Sequence, residues 1–113
     1  MATDLQMAVR KLASVNPATG EILREFDGAS EDEVRAAVGR ARAAQAAWNG
    51  LGVRRRTALL RKFQRRLHEK KSDIAAAITR EAGKPYAEAL VTEVLVVLDA
   101  LRFLIDNAYR LLV

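Results

Sequence analysis

Apolar residues recur at helical spacing along most of the chain and predict its main elements. In the first such stretch one face is apolar and the opposite face is polar. Ser30 followed by Glu33 forms a capping box, which begins helices because each side chain bonds to the backbone N–H of the other residue. The pattern therefore predicts a helix over residues 30–49. A second apolar run predicts either one bent helix or two helices over residues 53–83.

The last third of the chain carries the longest apolar pattern. Gly83 stands where the residue after a helix often adopts a left-handed conformation, and Pro85 suits the first turn of another helix. The helix predicted over residues 85–112 is apolar on more than one side, and such a helix is normally covered on more than one side. The rest of the chain offers too little to cover it. We therefore expect residues 1–113 to form a single incomplete segment of something larger.

The start of the chain has a different pattern. We expect residues 1–13 to be a loose N-terminus and residues 14–27 to form a β-hairpin. The hairpin's connection contains Asn16, Pro17 and Gly20, residue types that favour turns. The predicted fold class is therefore mostly α-helical with an N-terminal β-hairpin.

The net charge of +5 is concentrated in one stretch. Between Arg54 and Lys71 there are nine basic residues and a single acidic one, Glu69. Leucines and a phenylalanine interleave with the basic residues, which is typical of an amphipathic helix with a solvated basic face. A basic nucleic-acid-binding helical domain stays open as an alternative function. We do not expect it, because binding would call for stacking aromatic residues or a recognisable reading helix.

The absence of cysteine excludes disulfides, thiolate zinc sites and a cysteine nucleophile in this chain. His68 is the only histidine, and without metal-ligand spacing it is interpreted as a surface residue. Charged residues interrupt the most apolar stretch, and no secretory signal is recognisable at the start. We expect a soluble cytoplasmic protein that does not associate with membranes.

Two short motifs stand about sixty residues apart, Asn16–Gly20 (Asn-Pro-Ala-Thr-Gly) and Glu81–Pro85 (Glu-Ala-Gly-Lys-Pro). Each alone is ordinary turn chemistry. Their order and spacing, with the helical stretch between them, resemble the N-terminal segment of aldehyde dehydrogenase subunits, over nearly the whole chain from about residue 14. The resemblance implies that these residues form part of the α/β cofactor-binding domain of an NAD(P)-dependent enzyme that converts an aldehyde to a carboxylic acid.

The resemblance also implies where the chemistry lies. Family members carry the nucleophilic cysteine, the general-base glutamate and the nucleotide-binding loops downstream of this region, so we expect no catalytic and no cofactor-binding residue in this chain. NAD or NADP is implied only for the intact enzyme. The expected partner is the missing remainder of the enzyme. Self-association through the helix over residues 85–112, as a stand-alone interaction module, is the alternative.

One functional position is carried over from the resemblance. Some family members hold a monovalent cation with a backbone carbonyl beside the Asn-Pro motif and an acidic side chain on the long helix. By motif position these ligands are Val15 and Glu93, and a further ligand would come from residues outside this chain. The alternative is that Glu93 is a solvated or salt-bridged helix residue.

Overall fold

Helices make up most of the structure, a computed structural model that describes residues 11–113. A two-stranded antiparallel hairpin precedes them, which confirms the predicted fold class. The elements in chain order are β1 (Lys11–Val15), β2 (Ile22–Asp27), α1 (Glu31–Gly50), α2 (Gly52–Glu69), α3 (Lys71–Ala82), α4 (Tyr86–Glu88), a π-helical segment (Ala89–Leu95) and α5 (Val96–Leu112). Within residues 11–113, no helix has the length and apolar character needed to cross a membrane.

The hairpin is longer than its turn alone predicts. β1 already pairs with β2 at Lys11, whose partner is Asp27. The prediction that residues 11–13 are loose is therefore wrong, because strand pairing gives their backbone groups hydrogen-bonding partners. Residues 1–10, the rest of the predicted loose N-terminus, lie outside the described residues.

The capping box begins α1 as predicted. The Ser30 side-chain oxygen accepts a hydrogen bond from the Glu33 backbone N–H at 3.2 Å, and Glu33 Oε2 accepts one from the Ser30 backbone N–H at 2.7 Å. The hydrogen bond from the Ser30 backbone lowers the pKa of the Glu33 carboxyl below its ordinary value of 4.5. Two backbone donors at the helix start are satisfied in this way.

The stretch over residues 53–83, for which one or two helices were predicted, contains two. α2 and α3 are separated at Lys70, whose φ of −93° and ψ of 5° interrupt the helical backbone. α3 ends at Gly83, which has a φ of +69° and donates its N–H to the Thr79 carbonyl at 2.9 Å. Gly83 therefore occupies the left-handed position that the sequence predicts for it.

The long C-terminal helix is not regular throughout. Residues Ala89–Leu95 are π-helical, between α4 and α5. A π-helix has i→i+5 hydrogen bonds, so that each turn holds more residues than an α-helical turn. The apolar pattern does not predict this change of winding, which changes the set of side chains that share one face of the helix.

The core is small and lies where α2, α3 and the C-terminal helix meet. Ala75, Ala89, Val94 and Leu98 form the buried cluster. α1, which is described along its whole length, has no buried residue. The Cα radius of gyration is 19.5 Å, against about 13 Å for a compact domain of about 100 residues. Residues 11–113 therefore do not form a closed globule.

Candidate functional site: the junction of the two motifs

The two sequence motifs meet in space. A Cβ built on Gly83 would lie 2.9 Å from Cγ of Pro17, which is closer than side-chain carbons normally approach. The pyrrolidine ring of the hairpin turn therefore packs directly on the backbone of the turn that follows α3. The positive φ and this close approach both require glycine.

Local hydrogen bonds shape the hairpin turn so that it presents Pro17. Asn16 Oδ1 accepts from the Ala18 N–H at 2.9 Å, and the Asn16 carbonyl accepts from the Gly20 N–H at 2.8 Å. The Asn16 N–H in turn donates to the Glu21 carbonyl at 2.8 Å. Asparagine stabilises turns in this way because its short side chain reaches the backbone two residues ahead.

Lys84 joins the same turn to the long helix. Its ammonium donates to Glu93 Oε1 at 2.5 Å and lies 4.0 Å from Glu88 Oε1. The hydrogen bond to Glu93 raises the pKa of Lys84 above its ordinary value of 10.5. The Lys84 side chain is 27% exposed, while those of Glu88 and Glu93 are about half exposed. We call Lys84, Glu88 and Glu93 the junction cluster.

The residues predicted to hold a cation both lie near this junction. Val15 ends β1 and directly precedes the turn, and Glu93 lies in the π-helical segment. The turn and Glu93 are linked through the consecutive residues Gly83 and Lys84. The described part of the chain contains no group of three or more acidic or histidine side chains that could hold a metal ion. The Val15–Glu93 cation site stays a prediction, and the observed ion pair matches its alternative, a salt-bridged Glu93.

The ion pair of Lys84 was not predicted. Only a turn was expected around this lysine, and its partner Glu93 stands nine positions further on. That separation matches none of the i,i+3 or i,i+4 spacings by which helical ion pairs are recognised. The available signal was the second acid, Glu88, which does stand at i+4 from Lys84.

The basic stretch is partly neutralised inside the chain. Across α2 and α5, Arg61 pairs with Asp106 at 3.2 Å, and the guanidinium of Arg54 lies 4.7 Å from the ring centre of Tyr109. Two further ion pairs, Arg66–Glu69 and Lys70–Asp73, lie along the stretch. Such contacts are typical of an amphipathic helix whose charged side chains partly pair with a neighbouring helix and otherwise face solvent.

An open cleft of about 670 Å³ lies between α2 and α5, and His68 is on its wall. Gln64 bridges the two helices there, because its Nε2 donates to the Leu98 carbonyl at 3.0 Å. Arg65 and Arg102 line the cleft together with acidic side chains. The mixed charge does not select one class of ligand.

In the described geometry a hairpin is docked on a helical turn, and apolar surface of the C-terminal helix is left exposed. Comparison with known proteins identifies the family. The profile of the aldehyde dehydrogenase family matches residues 5–112 of this chain. The chain belongs to the aldehyde dehydrogenase family, as the order of its motifs predicted.

Two relatives illustrate the match. The chain is 48% identical over 77 residues to N-succinylglutamate 5-semialdehyde dehydrogenase of Burkholderia mallei (strain SAVP1). It is 41% identical over 80 residues to the probable succinate-semialdehyde dehydrogenase (NADP(+)) of Sinorhizobium fredii (strain NBRC 101917 / NGR234). These alignments cover 68% and 71% of this chain, and each covers 16% of the relative. The chain therefore spans only about a sixth of the length of these relatives.

Proposed function

We propose that this chain is the N-terminal scaffold portion of an NAD(P)-dependent aldehyde dehydrogenase, where it forms part of the α/β cofactor-binding domain. The observation that carries the proposal is the uncovered apolar surface of the C-terminal helix in a member of this family. Phe103, Leu104 and Leu111 are 58%, 55% and 61% exposed. Apolar patches of this kind are normally buried against a partner surface, since their exposure to water is unfavourable. The proposed partner is the remainder of the enzyme.

The chemistry of the intact enzyme is assigned to residues outside this chain. Oxidation of an aldehyde to an acid through a covalent thioester needs an activated thiolate and a positioned base, and NAD or NADP accepts the hydride. This chain has no cysteine, so it supplies no thiolate. The cytoplasm keeps thiols reduced, so a cytoplasmic location, which we also propose, would suit an enzyme with a catalytic thiolate.

The role left to this chain is to position and support. Pro17 packs on Gly83, and Lys84 bonds to Glu93, so the hairpin and the long helix are held at one junction. A preorganised scaffold matters for catalysis because a small displacement of the reacting groups lowers the reaction rate. This holds even when the substitution that causes the displacement lies far from those groups. We propose that the junction fixes the hairpin against the helix that the remaining domain packs on.

The names of the relatives support a substrate class. The two relatives described above are semialdehyde dehydrogenases by name. We propose that the intact enzyme likewise oxidises a semialdehyde, which is an aldehyde that carries a carboxylate elsewhere in the molecule. NAD and NADP are both compatible with the proposal.

A chimeric enzyme tests the proposal. The matched 77-residue segment of the Burkholderia mallei relative is replaced by the corresponding residues of this chain, and cofactor reduction is followed at the absorbance of NAD(P)H with N-succinylglutamate semialdehyde and succinate semialdehyde. The chimera is expected to fold and to oxidise the aldehyde, whereas this chain alone is expected to reduce no cofactor. Turnover by the chain alone, or a folded but inactive chimera, would contradict the proposal.

The second candidate is a self-associating interaction module, which the same exposed helix favours. Light scattering over a range of concentrations distinguishes the two. A compact monomer at all concentrations contradicts self-association. The nucleic-acid alternative is less favoured, because several basic side chains between Arg54 and Lys71 already have partners within the chain. Retention of an oligonucleotide at low salt that disappears with added salt would support it.

A further inference from the structure

Arg56 of α2 carries a hydrogen-bond donor that the described residues leave unused. Its Nε atom is buried, yet it has no hydrogen-bond partner within residues 11–113. A buried N–H without an acceptor is unfavourable, because it has lost its bonds to water and gained none in return, and the cost is larger for a charged group. The structure therefore calls for an acceptor that residues 11–113 do not supply.

An uncovered apolar surface adjoins this arginine. Leu59 and Phe63 follow it at i+3 and i+7, a spacing that places all three residues on the same side of α2. Their exposed fractions are 43% and 55%, whereas Leu67 of the same helix packs against the buried cluster. We call Arg56, Leu59 and Phe63 the α2 flank. Arginine and aromatic residues are enriched among the side chains that contribute most to binding at protein interfaces.

Charge selects the partner of the α2 flank. The chain has 19 Lys and Arg residues against 14 Asp and Glu residues. Three acidic residues that approach the basic stretch, Glu69, Asp73 and Asp106, already pair with other basic side chains. A second copy of the chain, docked flank to flank, would set two basic stretches against each other, and like charges in an interface are unfavourable. The acceptor for Arg56 is therefore sought in a carboxylate of a different surface.

We propose that the α2 flank is a docking surface for the remainder of the enzyme, which supplies a carboxylate to the guanidinium of Arg56 and apolar side chains that cover Leu59 and Phe63. The inference rests on the proposed function and adds to it a second contact surface, on a different helix from α5, with a partner of stated chemistry. A carboxylate can accept two parallel N–H bonds from one guanidinium. Docking therefore gives the buried Nε the acceptor that it lacks.

Melting temperatures of two proteins test the proposal, those of the chain alone and of the chimeric enzyme described above. Arg56→Met removes the unused donor and keeps an aliphatic side chain, while Arg56→Lys keeps the charge without the Nε–H. Arg55→Met is the matched control, because it removes the same charge from the adjacent residue, which is exposed. Phe63→Ala tests the apolar part of the α2 flank.

Arg56→Met is expected to act with opposite signs in the two proteins. It should raise the melting temperature of the chain alone by about 2–4 °C, because a buried donor without an acceptor is removed. It should lower that of the chimera by about 2–4 °C, because the carboxylate of the remainder loses its partner. Arg56→Lys should lower the melting temperature of the chimera by less, since an ammonium keeps the charge but not the parallel N–H bonds.

The other two variants separate the docking surface from general effects of charge and folding. Arg55→Met should shift neither melting temperature by more than about 1 °C, as expected for an exposed side chain. Phe63→Ala should leave the chain alone unchanged, because Phe63 is exposed there. In the chimera it should lower the melting temperature, because the apolar surface is covered by the remainder of the enzyme.

Two results would overturn the proposal. An unchanged or lower melting temperature of Arg56→Met in the chain alone would mean that water or the chain itself already satisfies the Nε–H. A chimera that is destabilised by Arg55→Met as much as by Arg56→Met, or by neither, would mean that no carboxylate of the remainder meets Arg56. Both results leave the proposed function standing, because the turnover of the chimera tests that function separately.

Discussion

Cγ of Pro17 lies 2.9 Å from the point that a Cβ on Gly83 would occupy. This contact connects the two motifs by which the family is recognised, although they are far apart along the chain. The glycine meets two separate demands, a backbone φ of +69° and room for the proline ring. The turn chemistry that each motif shows by itself thus serves a single tertiary contact.

Replacing this glycine is expected to be costly. Gly83→Ala should lower the free energy of unfolding by about 1–3 kcal/mol, because a side chain is strained at positive φ and the new Cβ meets Pro17. Urea unfolding followed by circular dichroism measures the change. In a Pro17→Ala background part of the cost should disappear, since the ring atom that the Cβ meets is gone.

The control for that substitution is Gly39→Ala. Gly39 lies inside α1, and a Cβ there meets nothing within 4 Å. The change should stabilise α1 by about 0.5–1 kcal/mol, because alanine favours helix more than glycine does. Equal effects of the two glycine substitutions would contradict the close packing at the junction.

Because the core is small, its largest side chains should contribute much of the stability of the fold. Leu98 is 9% exposed and belongs to the buried cluster between α3 and the C-terminal helix. Leu98→Ala should lower the free energy of unfolding by about 2–5 kcal/mol through lost burial and a cavity. Leu111→Ala is the matched control on the same helix, because Leu111 is 61% exposed and its truncation should change stability by less than about 0.5 kcal/mol. Denaturant unfolding that gives equal losses would show that no such core exists.

The capping box predicts a pH dependence of α1. The hydrogen bond from the Ser30 backbone lowers the pKa of Glu33 below 4.5, so the carboxylate is favoured in the folded state. Its stabilisation is present above the unfolded pKa of about 4.5 and is lost as the pH falls through the lower folded value. Circular dichroism at 222 nm should therefore show helix loss below about pH 4.5. Glu33→Gln should reduce that loss, and a variant with the full wild-type pH response would contradict the assignment.

The exposed apolar surface of the C-terminal helix predicts that the chain associates through it. Substitutions of exposed residues should change this association without changing the folding of the chain. Phe103→Ser should weaken self-association or binding to the remainder of the enzyme, because it removes exposed apolar surface on α5. Ile22→Ser is the matched control, since Ile22 has the same 58% exposure but lies on β2. Sedimentation measures the association and circular dichroism the folding. If both variants associate as the wild type does, the C-terminal helix is not the contact surface.

Local chemistry explains the features that were predictable. A serine three residues before a glutamate, a glycine where a helix must stop and a proline after it act within one turn of backbone, so Ser30, Gly83 and Pro85 mark their elements without help from the rest of the fold. The hairpin turn follows in the same way from Asn16 and Gly20. The order of these signals along the chain was also sufficient to indicate the family, which the comparisons confirm.

The sequence by itself therefore determined the helices, the hairpin and the family, because each depends on residues that are neighbours or on their order. Only the tertiary structure decided the contact of Pro17 with Gly83, the ion pair of Lys84 with Glu93 and the π-helical winding from Ala89 to Leu95. Pro17 and Gly83 are far apart along the chain, so their contact exists only once the hairpin and α3 have been brought together. The Lys84–Glu93 pair and the π-helical winding are closer in sequence, but neither follows the i,i+3 or i,i+4 spacing by which a regular helix is recognised.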